Sequence, residues 1–229
     1  MSSTLRALFA ELVGTFVFFT IGAGAVILTT SPAYGEPLGL LGVAAAHGIA
    51  LAVMVSVFGG ISGGHFNPAV TVSVWVGGKI GTFRGIAYIA AQLLGALFAG
   101  LMLRLMFVRP DWEPSNLGTP AIGPGVTIGR AILIEAVLTF VLVIAVWGTG
   151  LDKRGATIGG FGIGLAVFVD ILVGGPLTGA AMNPARHLGP ALAAGFLRDW
   201  WVYWLGPLAG GAIGGLVYRT FFWEETKSS

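Results

Sequence analysis

The chain has 229 residues, of which 55% are hydrophobic and only 10% are charged. Because soluble domains carry about 25% charged residues, this composition excludes a soluble globular protein and indicates an integral membrane protein. The formal net charge of +2 argues against a nucleic-acid partner, and the absence of cysteine excludes disulfide bonds and thiol chemistry.

Six stretches are long and apolar enough to cross a bilayer, which takes roughly 20 residues. In chain order they lie near 5–29, 38–58, 83–107, 127–149, 156–174 and 199–221. Two further apolar stretches, 67–77 and 183–194, are much shorter, and at about 1.5 Å per residue each reaches only the membrane midplane. The predicted fold class is an all-α membrane protein with six transmembrane helices and two re-entrant half-helices.

Both short stretches begin with the same tripeptide. The two copies are Asn67-Pro68-Ala69 and Asn183-Pro184-Ala185. Asparagine caps the first free N–H groups of a helix, and proline has the backbone angle of the first helical position. In so apolar a chain, the motif predicts two helices that begin inside the membrane, where broken-helix proteins place their binding sites.

The two halves of the chain also resemble each other. The segment Glu11-Leu-Val-Gly-Thr-Phe-Val-Phe in the first span is similar to Glu135-Ala-Val-Leu-Thr-Phe-Val-Leu in the fourth. Each half contains three full spans, an odd number, so the second half must be inverted relative to the first. We expect one membrane channel domain over 1–229, built from inverted repeats at approximately 1–108 and 127–221.

The basic residues outside the half-helices predict the orientation in the membrane. One side carries seven of them and the other carries four, which favours the first side, and with it both termini, in the cytoplasm. The two sets are Arg6, Lys79, Arg84, Lys153, Arg154, Arg219 and Lys227 against Arg104, Arg109, Arg130 and Arg198.

Small residues recur every four positions in the third and sixth spans. They are Ala91, Gly95 and Ala99 in one and Gly206, Gly210 and Gly214 in the other. Such stripes let apolar helices approach closely in lipid. We expect this packing within one protomer, with a contact between protomers as the alternative.

The two motifs with their flanks, Gly-Gly-His-Phe-Asn-Pro-Ala-Val and Met-Asn-Pro-Ala-Arg-His-Leu-Gly-Pro, resemble those of the aquaporin (major intrinsic protein) family. The resemblance covers essentially the whole chain, because the number of spans and their repeat order agree as well. It implies a passive water channel, not an enzyme, that assembles as a homotetramer in the lipid bilayer without a cofactor or metal.

The resemblance also implies the residues of the pore. Asn67 and Asn183 would orient water and interrupt proton conduction, while His47, Ile171, Ala180 and Arg186 would form the selectivity filter. This filter is similar to that of tonoplast intrinsic proteins and departs from the Phe, His, small residue and Arg of strict water channels. We therefore expect water conduction and a wider or less polar filter that also admits ammonia, hydrogen peroxide or urea. Without cysteine, transport should resist mercury salts.

Four polar residues outside the predicted filter lie within apolar segments. The family resemblance implies that Glu11 and Glu135 accept hydrogen bonds from the irregular backbone before each half-helix, a structural role that the membrane requires. Asp170 has no partner in the repeat and is expected to face a neighbouring helix or a subunit contact. His187 replaces the usual small hydroxyl residue of the water-conducting branch, and the sequence assigns it no role.

Two other functions compete with a channel. The sequence Gly60-Ile-Ser-Gly-Gly64 matches a serine nucleophile motif, so an intramembrane serine protease using Ser62 with His65 or His187 is one alternative. A coupled secondary transporter is the other, because inverted repeats and broken helices also occur there. The short termini favour a prokaryotic plasma membrane.

Overall fold

The computed structural model describes residues 2–224, and these fold into helices joined by turns and loops. Lys227, one of the seven basic residues of the predicted cytoplasmic side, lies outside the described residues. The α-helices are α1 (Ser3–Thr30), α2 (Gly39–Ser62), α3 (Pro68–Val76), α4 (Thr82–Met106), α5 (Arg109–Trp112), α6 (Ile128–Ala145), α7 (Phe161–Thr178), α8 (Pro184–Ala194) and α9 (Val202–Val217).

Five of these helices are long and apolar enough to cross a membrane, namely α1, α2, α4, α7 and α6 with its extension to Leu151. The sixth span is α9, whose 16 α-helical residues continue as a π-helical turn over Tyr218–Phe222. A similar π-helical turn, Val146–Leu151, prolongs α6. The fold is thus the predicted all-α arrangement of six spans and two half-helices, α3 and α8.

The fifth span lies several residues later than the sequence predicted, over Phe161–Thr178 instead of 156–174. Its start is delayed because Gly159 takes a left-handed conformation (φ +58°) in the preceding turn. Its end is set by Gly179, which caps the helix in the left-handed conformation (φ +80°). Gly63 ends α2 in the same way, with φ +95°, so the two halves leave the second span of each repeat by the same turn.

The packing follows the repeat. In the first half α1 packs against α2 and α4, in the second α6 packs against α7 and α9, and α2 meets α7 between the halves. Each half-helix packs against the last span of the opposite half, α3 on α9 and α8 on α4. This exchange joins the halves into one structure and brings the starts of α3 and α8 together.

The small-residue stripes pack inside the protomer. A methyl group at Gly95 would overlap the carbonyl of Leu12 on α1, and one at Gly210 would overlap the carbonyl of Ala136 on α6. The first and last spans of each half are therefore in backbone contact at these glycines, as the intramolecular interpretation of the stripes expects.

Candidate functional site

The two half-helices begin at the residues that the Asn-Pro motif indicates. The side chain of Asn67 accepts a hydrogen bond from the backbone N–H of Ala69 at 2.8 Å. Asn183 accepts from the N–H groups of Ala185 at 3.0 Å and Arg186 at 3.3 Å. Each asparagine is extended and is followed by proline at the first helical position, so each helix has a complete N-terminal cap.

The two caps are also bonded to each other. The Asn67 amide donates to the carbonyl of Met182 at 2.9 Å, and the Asn183 amide donates to the carbonyl of Phe66 at 3.0 Å. Each acceptor immediately precedes the opposite asparagine, so the helix ends are fixed in opposition. Because a side-chain amide has two N–H donors, each asparagine keeps a second donor for the cavity that both residues line.

The turn before α3 is bonded to a fully buried carboxylate on α1. Glu11 accepts from the backbone N–H groups of His65 at 3.0 Å and Phe66 at 2.7 Å. It also accepts from the Ser62 hydroxyl at 2.6 Å and the Gln92 amide at 2.8 Å. These four bonds hold Phe66 in a left-handed conformation (φ +47°), which is unfavourable for a residue with a side chain.

Glu135 on α6 does the same for the turn before α8. It accepts from the backbone N–H groups of Ala181 at 2.9 Å and Met182 at 2.7 Å, and from the Thr178 hydroxyl at 2.7 Å. Met182 is also left-handed, with φ +52°. The carboxylates therefore shape the two turns whose carbonyls receive the asparagine amides.

The four residues predicted to form the filter are buried together on one side of the asparagine pair. Arg186 donates from Nε to Nε2 of His47 at 3.0 Å and from Nη1 to the carbonyl of Gly118 at 2.7 Å. The other ring nitrogen of His47, Nδ1, lies 2.9 Å from the carbonyl of Val43. A carbonyl can only accept, so Nδ1 carries the proton and Nε2 is free to accept from the arginine.

Ile171 and Ala180 complete this group. Both side chains are 3% exposed and line the cavity that also contains the two asparagines. A second cavity, the outer cavity, lies on the side of this group that faces away from the asparagines, and His47, Ile171 and Arg186 line both cavities. We call the four residues His47, Ile171, Ala180 and Arg186 the outer constriction, and the cavity that they line together with the two asparagines the lumen.

Two residues of this site had not been identified from the sequence. Gly118 belongs to the loop between the halves and supplies a carbonyl to Arg186. It is left-handed (φ +69°) and lies against the backbone of Ala23, so only glycine fits. Gly22 lies against the ring of His47, where a methyl group would overlap the imidazole. Glycine is so frequent in this chain that neither position stood out.

Ser62, His65 and His187, the residues of the protease alternative, make contacts that do not form a catalytic pair. The Ser62 hydroxyl donates to Glu11, and the His65 ring bonds to the Thr71 hydroxyl at 3.1 Å. The other candidate base, His187, is fully buried and stacks on Tyr203 at a ring distance of 4.3 Å. Neither candidate histidine is shown bonded to Ser62, as the protease alternative would require.

Asp170 lies on α7 and is 4% exposed within one protomer, so it is not part of a subunit surface. Its Oδ2 atom has no hydrogen-bond partner among the described residues. Within residues 2–224, no group of three or more His, Cys, Asp or Glu side chains is arranged to hold a metal ion.

Comparison with known proteins identifies the family. Residues 1–218 match the family model described as major intrinsic protein. The chain belongs to the major intrinsic protein family. It is 47% identical to aquaporin TIP4-4 of Zea mays over 227 residues, which cover 96% of this chain and 88% of that protein. It is 41% identical to aquaporin TIP2-1 of Arabidopsis thaliana, with 98% and 90% covered.

A solved structure supports the fold. The X-ray structure of the aquaglyceroporin from Plasmodium falciparum matches with a TM-score of 0.85 at 23% identity, covering 95% of this chain and 96% of that one. The curated relatives named above are plant proteins of the tonoplast intrinsic type, which agrees with the resemblance of the filter. They give no support to the prokaryotic plasma membrane that the short termini and the absence of phosphorylation-rich tails had suggested.

Proposed function

We propose that the protein is a passive water channel in which each protomer has its own pore. The observation that carries this proposal is the reciprocal bonding of Asn67 and Asn183, which presents two amide donors to one lumen from two opposed helix ends. A water molecule at this point accepts from the asparagines and turns its own hydrogens away along the pore. The hydrogen-bonded chain of water is then interrupted, so water passes and protons do not.

The electrostatics of the site support the exclusion of cations. Each half-helix N-terminus carries roughly half a positive charge, and both ends meet at the lumen. The buried guanidinium of Arg186 adds a full positive charge at the outer constriction. None of the ion pairs among the described residues involves Arg186, so no carboxylate contact neutralises this charge.

We further propose that the outer constriction admits ammonia, hydrogen peroxide or urea besides water. Ile171 contributes an apolar wall, and two of the nitrogen atoms of Arg186 already donate to His47 and to the carbonyl of Gly118. Both features leave fewer polar groups free to face the passage than in the filter of a strict water channel, which has an imidazole in place of Ile171.

The test replaces this constriction by that of a strict water channel. The double variant His47→Phe, Ile171→His should keep fast osmotic water flux in proteoliposomes and lose ammonia and urea uptake, all measured by stopped-flow spectroscopy. The matched control is Ile49→Phe, a ring added at an exposed position of the same helix α2. Equal ammonia and urea uptake by the double variant and the wild type would refute the wider filter.

The assembly and orientation are proposed on the same basis. We infer a homotetramer in which the single domain over 1–229, with repeats at 1–108 and 127–221, forms one pore per chain, and we place both termini in the cytoplasm. Native mass spectrometry of the purified protein should give the mass of four chains. Labelling of cysteines introduced at the two ends of the chain in intact cells should show both to be inaccessible from outside.

A further inference from the structure

A second group of side chains borders the lumen on the other side of the asparagine pair from the outer constriction. The lumen is followed there by an inner cavity bordered by the end of α2, the π-helical turn after α6 and the start of α7. The lumen and the inner cavity share three lining residues, His65, Val146 and Ile163. We call these three residues the inner constriction.

The inner constriction differs in chemistry from the outer one. Two of its three side chains are branched and aliphatic, Val146 and Ile163, and they are only 7% and 5% exposed. The third, His65, presents one polar ring that is held in place by its bond to Thr71 and by edge-to-face contact with Tyr88 at 5.3 Å. Apolar constrictions impede permeation because water and polar solutes lose hydrogen bonds on entering them.

The backbone fixes the position of Val146. It is the first residue of the π-helical turn Val146–Leu151, and such turns occur frequently at functional sites. The next residue, Trp147, is fully buried and donates from its indole to the Ser73 hydroxyl at 3.3 Å. Its ring also packs against the rings of Tyr218 and Trp223, with distances between ring centroids of 5.8 Å and 5.7 Å. Because Trp147 is held by these contacts, the neighbouring backbone of Val146 is held as well, and the Val146 side chain stays in the wall of the lumen.

We propose that Val146 and Ile163 form a second selectivity element, which limits water flux and slows the polar solutes larger than water that the outer constriction admits. The proposal rests on the proposed channel function and assigns part of its selectivity to the inner end of the pore. It explains how a permissive outer constriction can coexist with selection by solute size further along the pore. His65 serves here as a fixed ring in the wall.

The first test widens the inner constriction. The double variant Val146→Ala, Ile163→Ala should raise the urea permeability of proteoliposomes by about tenfold, equivalent to about 1.4 kcal/mol off the barrier. Water permeability should rise as well, by a smaller factor, since water is the smaller solute. The matched control is Val137→Ala on α6, the helix that the π-helical turn with Val146 prolongs, where the side chain is 52% exposed and does not line the lumen.

The second test narrows the same point. Val146→Phe should abolish water flux while the variant keeps the helical circular dichroism and thermal unfolding temperature of the wild type. Should this variant fail to fold, Val146→Ile adds one methylene and should lower water flux measurably. Permeabilities of the widened and narrowed variants equal to those of the wild type would overturn the proposal. In that outcome fast water flux in the wild type would still support the channel function, so the two conclusions can be separated.

Discussion

The contacts of Glu135 predict what happens when its charge is removed without a change of shape. In Glu135→Gln one carboxylate oxygen becomes an NH₂ group, which can donate but not accept. If the remaining oxygen serves Thr178 and Ala181, the N–H of Met182 faces another donor. If the oxygen serves Met182, the other two donors lose their acceptor.

The favoured arrangement therefore leaves one buried N–H unpaired and weakens the two remaining bonds by removing the charge. A buried donor left without a partner costs about 1–3 kcal/mol. For a domain of this size, roughly 2–4 °C of unfolding temperature corresponds to each kcal/mol. We expect Glu135→Gln to lower the unfolding temperature by roughly 2–12 °C.

The same substitution should also reduce transport. Met182 is held in its left-handed conformation by Glu135, and its carbonyl is the acceptor for Asn67. Relaxation of this turn displaces the asparagine amide, so water flux per protein should fall. The assay combines thermal unfolding in detergent with stopped-flow water permeability, and the control is Glu36→Gln, at an exposed acid in the loop before α2. Unfolding temperature and flux that both equal those of the wild type would refute the structural role of Glu135.

Three further predictions concern the pore and the loop between α6 and α7. Mercury salts should not inhibit water flux through the wild type, which has no cysteine. The variant Ala180→Cys should become sensitive to mercury because Ala180 lines the lumen, and an insensitive variant would contradict the placement of Ala180 in the pore wall. Removal of the Arg186 partner in His47→Ala should increase urea uptake, and unchanged uptake would mean that this bond does not limit passage. The hydrogen bonds from Arg154 lower the pKa of the Asp152 carboxyl in the folded protein. The contact therefore stabilises the fold at any pH above the ordinary pKa of aspartate, and this stabilisation is lost as the pH falls through the lowered pKa. The unfolding temperature of Asp152→Asn should thus lie below that of the wild type near pH 7 and converge with it well below about pH 4, and a difference that persists in strong acid would contradict this origin.

Much of the fold could be predicted because the membrane restricts the possible structures. An apolar stretch of sufficient length has to be a helix in lipid, so the number and order of the spans follow from composition. Asn-Pro is a local signal with its own physical cause, and the two half-helices begin at Pro68 and Pro184 as the motif indicates. The boundaries of α7 were less predictable, since Gly159 and Gly179 set them by backbone conformation within a glycine-rich sequence.

The site was predictable only where a motif or a repeat marked it. Glu11 and Glu135 stood out as paired acids in apolar spans, and their bonds to the two turns are visible in the structure. Val146 and Ile163 carried no such signal, because branched aliphatic residues are the commonest content of a transmembrane helix. Their position in the pore depends on a π-helical turn and on packing between distant segments, for which the sequence contains no local pattern.

The osmotic water permeability of proteoliposomes, compared with empty liposomes of the same lipid, tests the channel function most directly. Stopped-flow light scattering should show shrinkage several-fold faster than in the empty liposomes, with a low activation energy and no accompanying proton flux reported by an enclosed pH indicator. Shrinkage no faster than that of empty liposomes would contradict the assignment of the opposed asparagines to a water pore.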